Sequence, residues 1–402
     1  VTPPRIAVVG IGADGWVGLN DAARTAILNA DEVIGSERQL DLLPADLPVT
    51  RTAWPSPMDP LVDELATRTT HATCVLASGD PMLHGIGATL ASRIGEARID
   101  VHPHPSAFAI ACARLGWPSA DVELVSTVAR PPETIARVLA PGRRLIVYAA
   151  GEDAPAIVAR VLRARGYGPS RFVVLEQLGG PREKLVDATA GAWSARWADP
   201  LHAIAIECRA AHGTPLLPRT PGLPDDAYAG DGQLTKRHVR AITLAALQPS
   251  PGQLLWDVGA ASGSIAIEWL RAEPSAQAIA IEQRADRARQ AVANALKLGV
   301  PELDVRIGDA PAALGDLPKP DAIFIGGGLT TPGLLATCHE ALNRGGRLVA
   351  NAVTLEGEQV LIAARADHGG DLTRIEIAHA EPLGGFTGWR PQMPVVQWTL
   401  TT

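Results

Sequence analysis

No stretch of the 402 residues approaches the ~18 uninterrupted apolar residues that span a bilayer, so no membrane segment is expected. Cysteine is scarce. Cys74, Cys112, Cys208 and Cys338 are scattered without CxxC or zinc-ligand spacing. Cys74 lies in an apolar strand pattern and Cys112 in an apolar helix pattern, where a thiol behaves as a small hydrophobe. His102 and His104 flank a proline that keeps them extended, and no third ligand is near, so no metal site is expected. Lysine is scarcer than arginine: Lys184, Lys236, Lys297 and Lys319 are the only four among 36 basic residues. The arginine excess reads as genomic base composition, and a run such as Arg284 to Arg289 as a solvated helix face. A net charge of −7 argues against a protein that coats nucleic acid. Val1 to Arg5 leads into a strand pattern without the charged start and apolar core of a signal peptide, so cytoplasm is the expected compartment.

At this length two domains are expected. Strand and helix patterns alternate from end to end, which predicts α/β architecture with largely parallel sheets. In the first half, 5–9, 73–77, 144–148, 171–175 and 201–207 read as strands, separated by helical runs at 21–30, 106–115 and 155–165. The pattern breaks across 209–228, where Pro215, Pro218, Pro221 and Pro224 alternate with Gly213 and Gly222, a linker or a surface-hugging crossover. Domains are therefore expected at 1–208 and 229–402. A second α/β series begins with Thr235 as the N-cap of a helix through Leu247. Strands follow at 253–257, 277–281, 303–307, 321–325, 347–351, 373–378 and 395–400, with helices at 264–271 and 285–298.

Two glycine loops carry the chemistry. Gly10-Ile11-Gly12-Ala13-Asp14-Gly15 is a literal GxGxxG after a strand. A dinucleotide reading is weakened because Gly18 follows and Asn20 is the better N-cap, so the helix begins too late to hold a pyrophosphate. The second loop, Ser78-Gly79-Asp80-Pro81-Met82-Leu83-His84-Gly85, decides the matter. SGDPxLxG paired with an N-terminal VGxG turn resembles the tetrapyrrole methylases. Pro105-Ser106-Ala107, Tyr148-Ala149-Ala150 and Glu176-Gln177-Leu178-Gly179 follow in the family's order. The resemblance covers roughly residues 5–208 and implies a two-lobed class III fold with S-adenosylmethionine (SAM) between the lobes. It implies that Gly10, Gly79, Asp80, Pro81, Leu83, Ser106 and Ala107 line that cofactor site. Glycine-turn amides suit the methionine carboxylate, and Pro81 stiffens the turn.

In the second half Asp257-Val258-Gly259-Ala260-Ala261-Ser262-Gly263 ends one strand and opens a helix. Glu282 ends the next strand, where one carboxylate can take both ribose hydroxyls, and Asp309-Ala310 follow the third. These residues are similar to motif I and its successors in Rossmann-like class I SAM methyltransferases. The resemblance assigns cofactor contacts to Asp257, Gly259, Gly263, Glu282, Asp309 and Ala310. Ala261 stands where the motif has glycine; a Cβ there crowds the cofactor or resists a positive φ. Asp231 to Arg240, the LWDVG strand and Gly326-Gly327-Gly328 resemble the decarboxylating methyltransferase module of cobalamin synthesis. The glycines leave no group to activate a nitrogen, which favours a carbon nucleophile. Together the two resemblances imply methylation of a precorrin at C5 by the first half. To the second they give methylation at C15 and loss of CO₂ from the C12 acetate. So acidic a substrate calls for cations. Lys236 and Arg240, four apart at a helix start where cations oppose the dipole, are the expected anchors. Expected partners are the small tetrapyrrole and further copies of the chain, with no nucleic acid, membrane or metal.

Overall fold

The computed structural model describes residues 5–402; the reading of Val1 to Pro4 lies outside the described residues. The chain divides into two compact units: residues 1–130 with 141–214, and 131–140 with 215–402.

The first unit holds two sheets. Ile6–Ile11 (β1), Glu32–Gly35 (β2), Thr50–Ala53 (β3), Thr73–Ser78 (β4) and Ile99–His102 (β5) form a parallel sheet in the order β3-β2-β4-β1-β5. Central β1 and β4 are almost fully buried apolar runs, as a sheet covered on both faces requires. Val122–Ser126 (β6), Arg144–Tyr148 (β7), Arg171–Glu176 (β8), Lys184–Thr189 (β9) and His202–Glu207 (β10) form a mixed sheet in the order β6-β7-β10-β8-β9. The helix after β1 starts late, at Asp21. Asn20 caps it by accepting the Ala23 amide, and Gly15–Gly18 forms a 3-10 turn in between.

In the second unit Leu254–Val258 (β11), Gln277–Glu282 (β12), Asp304–Ile307 (β13), Ala322–Ile325 (β14) and Arg347–Ala352 (β15) run parallel. Asp371–Ile375 (β16) and a final strand, Val395–Thr401, extend the sheet antiparallel beyond β15. Between them Ala378–Leu383 (β17) and Phe386–Pro391 (β18) form a separate hairpin, so the final strand is β19. The strand expected at 373–378 is thus two elements. The sheet order β13-β12-β11-β14-β15-β19-β16 reverses direction between β11 and β14, and such a switch point opens a crevice at the strand ends.

The helix expected from Thr235 begins at Arg237, with Lys236 at its N-cap. The proline-rich stretch is not free beyond Pro215. Glu268 accepts the backbone amides of Gly222 and Leu223 and the Tyr228 hydroxyl, seating the segment on the second unit's core. None of the four cysteines forms a disulfide, and all are buried. Burial pushes the Cys74 and Cys338 thiols up to about 12. No helix among the described residues is long and apolar enough to cross a membrane.

Candidate active site

The switch point of the second unit opens a cavity of about 810 Å³. Its first end is built from the tips of β11, β12 and β13. Asp257, next to last in β11, is 1% exposed. Its Oδ2 accepts the Ala266 amide at 3.1 Å, whereas Oδ1 has no partner among the described residues. Burial drives its carboxyl up to about 7, against the Ala266 N–H, with the Glu282 charge adding to the rise. Glu282, at the tip of β12, accepts the Ala261 amide (2.8 Å) and the Arg284 amide (2.9 Å), one on each oxygen. Each oxygen keeps a second lone pair.

Ala261 has φ +49°, the left-handed region that costs a residue with a Cβ about 1–2 kcal/mol. The hydrogen bond its N–H donates to Glu282 holds it there. At Gly259 (φ +73°) a Cβ would fall 2.7 Å from the Gly327 nitrogen, so glycine is what lets the two loops touch. Asp309 and Ala310 line the same end. Gly263 does not. It stands at the N-cap of the helix Ser264–Ala272, where a Cβ would lie 3.1 Å from that of Ala291, and it serves helix packing.

The second end of the cavity is walled by Phe324, the Gly326–Gly328 loop, Asn351, Val353 and Met393. Lys236 also lines the cavity; it is exposed, and its ammonium makes one long contact, 3.4 Å, to the Gly232 carbonyl. Arg240 does not, which corrects its reading as a substrate anchor. It is 0% exposed, with Nε 2.6 Å from Glu268 and Nη1 3.2 Å from Asp225, and it donates to the Leu223 and Thr235 carbonyls. One turn beyond Lys236 the helix faces the core, and Glu268 consumes the charge.

In the first unit the expected residues come together where β4, β1 and β5 end side by side. A Cβ on Gly10 would collide with the Gly79 carbonyl. Gly79 (φ +60°) donates to Ile11 and abuts Pro105, Ser106 and Ala107. Asp80 Oδ1 accepts the Met82 amide, Leu83 closes the turn onto the Asp80 carbonyl, and Pro81 packs beneath Gly85 and Gly87. Ser106 caps the helix Ala107–Leu115. Tyr148 accepts the Phe108 amide at 2.8 Å, tying the second sheet to this turn. Two groups were not foreseen. His104, given no role in the sequence, is buried with Nε2 3.3 Å from Asp14 Oδ2. Asn351, at the cavity wall, carries no motif of its own in the sequence.

Two methyltransferase halves are thus joined in one chain. Residues 5–193 match the family described as tetrapyrrole (corrin/porphyrin) methylases, and residues 226–402 match the precorrin methyltransferase domain. A precorrin-6Y C(5,15)-methyltransferase [decarboxylating] from a Sinorhizobium species is 46% identical over 100% of this chain and 97% of its own length. The chain belongs to that family. Two shorter relatives each pair with less than half of it. A probable cobalt-precorrin-6B C(15)-methyltransferase (decarboxylating) from Pyrobaculum calidifontis is 33% identical, over 44% of this chain and 93% of its own. A cobalt-precorrin-7 C(5)-methyltransferase from Salmonella typhimurium is 32% identical, over 45% of this chain and 88% of its own.

Proposed function

We propose that the chain methylates a precorrin at C5 and C15, using SAM, and removes CO₂ from the C12 acetate. The first unit serves C5; the second serves C15 and the decarboxylation. The carrying observation is the 810 Å³ cavity at the switch point of the second unit. One end presents a buried, half-partnered carboxylate (Asp257), the Glu282 carboxylate and the Gly259 contact that a Cβ would fill, acceptors and space that fit SAM. The other end presents Gly326–Gly328 and apolar walls, with no acid or amide on that loop to activate a nitrogen.

Bound SAM supplies an electrophilic methyl group. Glu282 is placed to accept the ribose hydroxyls, Asp257 to face a cationic group, and Asp309 and Ala310 to meet the adenine edge. In the first unit Gly10, Gly79, Asp80, Pro81, Leu83, Ser106 and Ala107 hold the second cofactor. A reduced tetrapyrrole is an extended enamine with nucleophilic meso carbons, so the protein's task is chiefly alignment of carbon, methyl and sulfur. Such alignment is worth about 7–11 kcal/mol in favourable cases. Lys236 meets a substrate carboxylate at the cavity mouth.

We assign the chain to the cytoplasm, in keeping with four cysteines that form no disulfide. Leu383, Phe386 and Trp389, 69–84% exposed on the β17–β18 hairpin, support self-association. Light scattering of a Phe386→Glu, Trp389→Glu variant should then show a smaller particle than the parent. Incubating the full chain with precorrin-6Y and SAM should give a product with two added methyl groups and one CO₂ lost, read by mass spectrometry. An unchanged substrate mass would refute the assignment.

A further inference from the structure

On the β15 side of the cavity one amide is held by two side-chain hydrogen bonds. Asn351, on β15, lines the cavity. Its Nδ2 donates to Thr243 Oγ1 at 3.0 Å, while Gln397 Nε2 donates both to Asn351 Oδ1 (2.9 Å) and to Thr243 Oγ1 (3.0 Å). Thr243 is 0% exposed and Gln397 3%. The triangle joins the helix Arg237–Leu247, β15 and β19. A hydroxyl has one proton, and turning either amide over would set like atoms against each other, so only this sense satisfies all three contacts. Asn351 keeps one N–H and one carbonyl lone pair unused by the triangle. A buried network of this kind fixes the orientation of a single amide at a cavity wall.

We propose that the free N–H of Asn351 holds the acetate carboxylate that leaves as CO₂, an inference that rests on the function proposed above. In this step the bond between the acetate methylene and its carboxyl carbon breaks. The electron pair passes into the conjugated macrocycle, and a proton from water completes the methyl group. The breaking bond must stand across the macrocycle plane for the electrons to flow, and one fixed hydrogen bond sets that torsion. A neutral donor suits the task better than a cation. The carboxylate's charge disperses as the bond breaks, so a cation would stabilise the ground state more than the transition state. Exposed Lys236 at the mouth is left for carboxylates that persist. Thr243 and Gln397 act as positioning residues.

The test uses the full chain with precorrin-6Y and SAM, following CO₂ release and C15 methylation in the same reaction. Asn351→Leu should cut CO₂ release about 10-fold or more, the worth of one hydrogen bond to a charged group. Methyl transfer should fall far less, and SAM affinity of the second unit should stay within about twofold, as expected without a cofactor contact. Thr243→Val, which keeps shape but frees the amide, should shift the same ratio, and Thr243→Ser should restore it. If the two activities fall in parallel in every variant, or neither falls, the assignment to the carboxylate is wrong. Failure of the parent chain to act on precorrin-6Y would instead overturn the function itself.

Discussion

Asp257 costs the fold stability, which under the proposed function a bound cation offsets. One oxygen is satisfied, the other is buried and unpartnered, and the group titrates near 7 instead of 3.8. Between pH about 4 and about 7 the native state keeps a proton that the unfolded chain has released. Stability from this group therefore falls as pH rises through that window, and the loss is complete above about 7. A cationic sulfonium favours the ionised form, so the thermal shift produced by SAM should grow as pH rises through about 7. Asp257→Asn keeps an acceptor for Ala266 and puts an amide where the bare oxygen was. It should melt higher than the parent at pH 8 without ligand, yet bind SAM about 10- to 150-fold more weakly, one charged hydrogen bond's worth. Scanning calorimetry at pH 5 and 8, with and without SAM, checks both; equal pH slopes for parent and variant would remove the argument. Glu282 serves two masters, because its oxygens also hold the Ala261 and Arg284 amides. Glu282→Gln sets an amide donor against one of these. SAM affinity in the second unit should drop roughly 5- to 150-fold by titration calorimetry.

Elements show why Lys236 and Arg240, a single turn apart, part company. The helix Arg237–Leu247 turns Arg240 inward onto Glu268, which also accepts two amides and a hydroxyl from the proline-rich segment. Glu268→Gln should cost about 3–5 kcal/mol by leaving the buried guanidinium uncompensated. Lys236→Ala should leave the denaturation midpoint within about 0.5 kcal/mol of the parent and raise KM for the precorrin. Urea titration separates the two, and equal midpoints would mean the Glu268 hub bears no weight. Charge and spacing alone could not make this distinction, since it depends on where Glu268 lands from another helix. The same holds for the strands. Central strands are continuous apolar runs and were legible, whereas β3, β5, β6 and β9, absent from the sequence reading, are the sheet edges of the first unit. Edge strands bury little; β3 and β9 have no buried residue, so their sequences carry no strong period. The residues expected at Asp257, Glu282 and Asp309 were legible as strand ends, because the apolar runs before them fix where each strand stops. Asn351 was not, because its meaning comes from Thr243 and Gln397, each more than 40 positions away.

On the scale of the whole chain, proline content points to a division within 209–228, and the contact boundary falls between Thr214 and Pro215. The segment 131–140 leaves the first unit's sequence and belongs with the second. There Ile135, Val138 and Leu139 are 0–6% exposed, Arg137 donates to the Leu270 carbonyl and pairs with Glu302 at 2.9 Å, and its backbone fills the space above Gly299. Burying each aliphatic side chain is worth about 1.5–3 kcal/mol. A fragment of residues 215–402 should fold, since it holds the seven-stranded sheet and both of its cores. It lacks those three side chains, however, and should unfold at lower denaturant than the matching transition of the full chain. A synthetic peptide of residues 129–142 should bind the fragment and raise its midpoint, and the same peptide with Ile135→Asp should not. In the full chain Gly299→Val, which drives a side chain into the Arg137 backbone, should lower the transition of the second unit alone. If the fragment and the full chain share one midpoint and the peptide does nothing, residues 131–140 add nothing to the second unit, and a single cut at 214/215 separates two self-sufficient halves.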